Sequence, residues 1–361
     1  MFIRMSYCMT RFCLLLFALI MLKTANAAEI DRLYAPALHT QGAQGSLLLD
    51  VVEAGNRVVA VGEQGIVLIS DDAGISWRQA EVPVSVLLTA ITFTDESTGW
   101  AVGHDGVVLK TIDGGENWRV ALTGAKINQL RVSQLEWTLK DSSDLSKEQL
   151  EAIEFALEDA RVAVEENFTP PLLDIWFSTE QEGYVLGAYG LFLRTRDGGV
   201  TWQSLGHLMP NPDGFHLNSL IASANGDLYV AGEAGLLMRS SDRGDAWTSL
   251  DSPYDGSFFD LIEQDNLYVM GLRGHLFSSE DGKQWQQEQL PTGATIFGAV
   301  TDGERFLLIG QGGLILERKA EQYKVRKGIE LSLSAAVLID DSLILVGEGG
   351  LYRINVSEGQ M

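Results

Sequence analysis

The sequence predicts an all-β fold, a seven-bladed β-propeller of four-stranded antiparallel blades that carries an α-helical hairpin insertion. Three observations predict it. A G-x-x-G unit flanked by short apolar segments occurs seven times, with first glycines at 62, 103, 187, 232, 271, 310 and 347. The spacings are 41, 84, 45, 39, 39 and 37 residues, and a sustained period of this length marks a propeller or a repeat array. Each period parses into four short apolar segments parted by polar turns, the make-up of a propeller blade. A linear solenoid would need polar capping faces at its ends, and none is visible.

The chain begins with a basic stretch (Arg4, Arg11), an apolar run over 12–22 and Ala25-Asn26-Ala27. This reads as a signal peptide over 1–27, its apolar run being about half of what a membrane-crossing helix needs. Both cysteines, Cys8 and Cys13, lie in it, so the chain over 28–361 is expected to hold no disulfide, thiol catalyst or cysteine metal site. The leader has three basic residues and no acid, so its removal takes the formal net charge from −23 to −26. An exported protein this acidic is not expected to seek nucleic acid or anionic lipid. The expected location is periplasmic, or a compartment like the thylakoid lumen, with the chain soluble after cleavage.

Residues 28–38 precede the first repeat. The seventh repeat ends after its third strand, so pairing 28–38 into it would close the ring and cover an exposed edge. The second repeat shows the full pattern, with strands at 88–93, 100–102, 107–110 and 118–122. The doubled interval holds an insertion over 124–169, between blades two and three. There Ser146-x-x-Gln149 is a capping box, and Leu150, Ile153, Leu157, Ala160 and Val164 form one apolar stripe opposite an acidic face. Residues 127–140, with Trp137, form a second helix, and Pro170-Pro171 returns the chain to strand.

A second motif follows the hairpin in five repeats. It reads Ser70-x-Asp72-x-Gly74-x-x-Trp77, Thr111-x-Asp113-x-Gly115-x-x-Trp118, Thr195-x-Asp197-x-Gly199-x-x-Trp202 and Ser240-x-Asp242-x-Gly244-x-x-Trp247, with a worn Ser278-x-Glu280-x-Gly282-x-x-Trp285. Short polar side chains bond to backbone amides within a turn, and the tryptophan buries a large apolar area between blades. Blades six and seven lack the motif, with Tyr323 standing in for the sixth tryptophan.

This pattern resembles the Asp-box, or bacterial neuraminidase repeat. The longer match G-W-A-V-G-x-x-G-x-[VIL]-L-x-T-x-D-G-G-x-x-W is similar to photosystem II stability and assembly factor-like proteins. The resemblance covers about 46–356, with 124–169 an extra feature. It implies a seven-bladed propeller behind an N-terminal signal, and a non-enzymatic factor that docks on a membrane protein and assists assembly or operation of a membrane complex. A carbohydrate-active, sialidase-like enzyme or lectin is the alternative. That chemistry needs an arginine triad and a tyrosine–glutamate pair, and the arginines here are scattered. No catalytic, cofactor or metal site and no small-molecule substrate is expected.

Blade topology places the G-x-x-G loops on the same face as the connectors between blades. Glu63, His104, Asp105, Glu233, Gln311 and Glu348 therefore share a face with the insertion, and the Asp-boxes take the opposite one. With their side chains free, the acids and histidine of this face and Trp137 are the expected partner-binding residues, Trp137 as anchor.

Overall fold

Among the most uniformly apolar segments of the chain are the second strands of the repeats, such as Gly99–Gly103 and Leu267–Gly271, and every residue in these two is buried. A strand reads this way when both its faces are covered. In the computed structural model, which describes residues 31–356 except 142, 144, 321 and 327, each such strand lies between two neighbouring blades. The leader over 1–27 falls outside the described residues.

Blades one to six are four-stranded antiparallel sheets in simple sequence order. In blade two the strands are Leu88–Phe93, Gly99–Gly103, Val108–Thr111 and Arg119–Leu122. Among the described residues, seven clusters of buried apolar side chains each straddle two adjacent blades, including blades seven and one. The ring therefore closes by side-chain packing.

Blade seven has three strands, Leu333–Ile339, Ser342–Gly347 and Gly350–Asn355. The closing strand expected over 28–38 is not formed by its described part. Residues 31–38 contain no strand and run instead as a strap over blade one. Ala37 N donates to Val82 O at 3.0 Å, Ser85 N to Arg32 O at 2.8 Å, and Gln79 bonds to Leu38 O and Thr40 N. Leu33 and Ala37 pack into the blade-one/blade-two core, which anchors the strap away from blade seven. At the seam, Arg353 Nε donates to Ala73 O at 3.0 Å.

The Asp-box turns follow from their hydrogen bonds. Thr111 Oγ1 accepts the N–H of Gly115 at 3.0 Å, and Asp113 accepts the N–H of Asn117 at 3.0 Å and its amide at 2.9 Å. Trp118 lies in the blade-one/blade-two core, with its Nε1 donating to Gly115 O at 2.9 Å. The same geometry recurs at Ser70, Thr195 and Ser240. Bonds from the Ser76 hydroxyl and N–H hold the Asp72 carboxyl down at about 2. Asp113→Ala removes acceptors at an exposed turn, and equilibrium denaturation is expected to show a loss of about 1 kcal/mol.

The fifth turn differs from the sequence reading. Ser279, not Ser278, pairs with the start of the second strand. Asp281, not Glu280, accepts the N–H groups of Lys283 and Gln284, each at 2.8 Å. The turn is one residue shorter between serine and Trp285, so the alignment on glycine and tryptophan misplaced the acid.

The insertion is an αα-hairpin of α1 (Gly124–Lys140) and α2 (Lys147–Glu165). Its capping box is reciprocal, with Gln149 N donating to Ser146 Oγ and Ser146 N to Gln149 Oε1. Leu135, Ile153, Leu157 and Ala160 form its own small core. Ile127 enters the blade-two/blade-three core, and Gln134 Oε1 accepts the N–H of Ser204 on the outer strand of blade three. Buried Asn128 donates to Phe168 O at 2.7 Å, pinning the chain where it returns to the ring. No helix among the described residues is long and apolar enough to cross a membrane.

Candidate docking face and axial channel

Seven G-x-x-G turns and the helical hairpin share one face of the ring. The two glycines of a turn serve different ends. The first is extended, with φ between −163° and −175° in blades one to five, so it is not there for a positive φ. A Cβ at Gly103 would lie 2.1 Å from Leu87 O, and the other six first glycines meet the equivalent carbonyl at 2.1–2.4 Å. The second glycine does take positive φ, as Gly65 does at 72°. In blades one to six the residue before it is also left-handed, including Gln64, Asp105 and Tyr189.

The close approach allows a clasp. The N–H of the first loop residue donates to the carbonyl of the residue preceding the blade's first strand, as in Glu63 N to Leu47 O at 2.9 Å and Glu233 N to His216 O at 2.9 Å. The side chain answers it. Glu63 Oε1 accepts the N–H of Leu47 at 3.1 Å, Glu233 Oε2 that of His216 at 3.2 Å and Glu348 Oε2 that of Ser332 at 3.4 Å. Gln311 does the same to Thr295 at 3.4 Å. The carboxylates expected to be free are thus engaged with their own blades. An acid or amide suits this position because it offers an acceptor to an N–H that the strand leaves over.

His104 is half-buried in the turn under α1, where Gly106 faces the Cα of Gly124. Asp105 pairs with Arg32 at 3.4 Å. Trp137 is 68% exposed on α1. Two residues absent from the sequence reading stand near the hairpin's foot. Phe168 (48% exposed) and Tyr189 (60% exposed) meet edge to face at 5.8 Å, and Tyr189 touches the His216 ring at 5.0 Å. Sequence offered one signal for Tyr189, a bulky aromatic at a loop position that needs positive φ.

A second set of residues lies on the axis. The first strand of every blade carries a bulge, one residue without a ladder partner. In blades one, three and five the residue that follows the bulge is Asp50, Asp174 and Asp260. Each carboxylate accepts the following N–H of its own strand and the matching N–H of the next blade. The cross-blade bonds are Ile91 N to Asp50 at 2.9 Å, Leu220 N to Asp174 at 2.8 Å and Ala299 N to Asp260 at 3.1 Å. The intervening blades present Ala90, Ser219 and Gly298 to the same cavity of about 220 Å³, whose only ionisable lining groups among the described residues are the three aspartates.

Burial pushes these carboxyls up, against the backbone N–H bonds that lower them. Asp50 and Asp260 reach about 7 and Asp174 about 6. The sequence signal for them was an aspartate after two apolar residues at the same place in alternate repeats, LLD at 48–50, LLD at 172–174 and FFD at 258–260.

Comparison with known proteins agrees with the propeller fold. The family described as "Photosynthesis system II assembly factor YCF48" matches residues 69–140 and 157–254. The match runs through α1 and the end of α2, so only 141–156 of the insertion stands outside it. The structure of "YCF48 bound to D1 peptide" is similar with a TM-score of 0.63 and 14% identity, over 89% of this chain and 99% of that one. YCF48 from Cyanidioschyzon merolae gives 0.61 and 13% identity, over 90% and 99%. No curated protein matches the chain significantly.

Proposed function

We propose, on the premise that the chain is a photosystem II assembly factor-like propeller, that it is an exported, non-catalytic scaffold that grips a membrane protein or complex. The grip is made by the face carrying the helical hairpin. One observation carries the reading. On this acid-coated protein, Trp137, Phe168 and Tyr189 expose large aromatic surface on the hairpin and beside its foot. Exposed aromatics of this kind are the side chains that anchor protein interfaces. The similar YCF48 structure bound to D1 peptide supports a protein partner, and the signal-peptide pattern supports an exported, periplasmic or lumen-like location.

The acids of the G-x-x-G turns take a secondary part in this reading, as a negative rim whose charges are already braced. The sialidase-like alternative asks for arginines converging on the axis, where the described residues lining the cavity include three aspartates and no arginine.

The test compares the tagged mature chain with a Trp137→Ala/Phe168→Ala/Tyr189→Ala variant in capture from detergent-solubilised envelope membranes. All three side chains are substantially exposed, so the variant is expected to melt like the parent. Enrichment of one membrane complex by the parent, reduced at least about tenfold in the variant, is the expected result. Equal capture by both would end the proposal. Deleting 124–169 is a coarser test, because it also strips Ile127 from the blade-two/blade-three core.

A further inference from the structure

Blades one to five seat their Asp-box turns against the second strand of the preceding blade. A Cβ on the turn glycine would lie 2.8 Å from Ile344 at Gly74, 3.5 Å from Trp100 at Gly199, 3.0 Å from Tyr184 at Gly244 and 2.0 Å from Tyr229 at Gly282. Blade six breaks the series. Its last two strands, Leu314–Lys319 and Gln322–Arg326, pair out to Lys319 and Gln322, leaving no room for an Asp-box, and Tyr268, the corresponding residue of blade five, meets Arg318 instead. The vacated seat is a groove of about 630 Å³, lined among others by Tyr268, Ser278, Gln286, Glu288, Arg318 and Tyr323. That volume is within the roughly 300–1,000 Å³ range of ligand pockets.

The lining chemistry selects the ligand. Arg318 lies over the Tyr268 ring at 5.6 Å, and its Nη2 donates to Asp265 at 2.8 Å, so its charge is answered inside the protein. Three carboxylates, Glu280, Asp281 and Glu288, oppose an anion. Two of them are occupied, Asp281 by backbone N–H groups and Glu288 by the Ser278 hydroxyl at 2.6 Å, and Arg318 opposes a cation. The remaining groups are neutral donors and acceptors: the amides of Asn266, Gln284, Gln286, Gln287 and Gln289. The Tyr323 hydroxyl is buried without a hydrogen-bond partner, a state that costs free energy until a ligand or water answers it. Hydroxyl groups both donate and accept, so a polyhydroxylated neutral molecule satisfies this lining without placing a charge against it.

We propose that the groove between blades five and six binds a short neutral oligosaccharide, at a site separate from the docking face. The experiment is calorimetric titration of the mature chain with maltotetraose, cellotetraose and chitotetraose, with tetralysine as the cationic comparison. At least one sugar is expected to bind with a Kd of about 1 mM or tighter. Tyr323→Phe keeps the packed ring and removes the hydroxyl, and is expected to weaken binding at least about fivefold. Gln286→Ala, on an exposed strand, is expected to weaken it with no change in melting. Absence of binding by all three sugars would overturn the proposal. So would sugar binding indifferent to both variants, or tetralysine binding more tightly than any sugar.

Discussion

Acidifying the mature protein from pH 8 to about pH 5 is expected to raise its melting temperature, by on the order of 10 °C. Most exposed carboxylates would leave melting flat or lower it over this range. The cause is the axial trio. Burial raises Asp50 and Asp260 to about 7 and Asp174 to about 6, whereas the unfolded chain releases the same protons near 3.8. Between those values the folded state holds more protons, so stability falls as pH rises. The contribution is complete below about 3.8 and is lost as pH climbs through 6 to 7. Each unit of pKa is worth about 1.4 kcal/mol.

Calorimetric melts at several pH values read the slope. An Asp50→Asn/Asp174→Asn/Asp260→Asn variant is expected to flatten it. A parent protein whose melting temperature rises steadily from pH 5 to pH 8 would contradict the assignment.

Gly103→Ala is expected to cost at least about 3 kcal/mol, although it adds one methyl group and leaves φ in the extended region. The methyl would lie 2.1 Å from Leu87 O and 2.9 Å from Leu88 Cα, and both belong to backbone held in the clasp of blade two. Neither can move without shifting the first strand toward the axis. Gly45→Ala, where a Cβ meets nothing within 4 Å, is the control and is expected to stay within about 0.5 kcal/mol. Urea denaturation of the two variants separates a steric need for glycine from a general loss of helix or strand preference. Similar losses in both would mean that the clasp does not set the requirement.

The blade count, the face assignment and the insertion were legible because glycine and tryptophan recur where sterics allow little else. The start of α2 followed from its capping box, whereas α1 begins at Gly124 rather than at 127, and the buried face of α2 ends on Ala163 rather than Val164. What was not legible has physical reasons. The strap over 31–38 binds through backbone carbonyls and N–H groups, which any sequence carries, so nothing in its residues says which blade it will cross. The clasping role of Glu63, Glu233 and Glu348 depends on a backbone approach between residues 15 or more apart. The aspartates on the axis were visible as letters, but their coupling to a neighbouring blade requires the bulge. Blade five shows the limit of motif alignment, since a single deleted residue moved the acid from 280 to 281.

The seam at blade seven carries a kinetic consequence. Every strand ladder in this ring joins consecutive segments of chain, so pairing requires only the closure of short loops and contributes little to contact order. A propeller that borrows a strand from its far end must bring its termini together before its last sheet exists. Here each sheet can mature as soon as its own residues are available, in order from the N-terminal side. Among the described residues, the long-range event is the docking of blade seven on blade one, through Arg353, Ile344 and the turn at Ala73 and Gly74. That docking is expected to be the final step of folding and the first to reverse, so hydrogen exchange should open blade seven ahead of the other six.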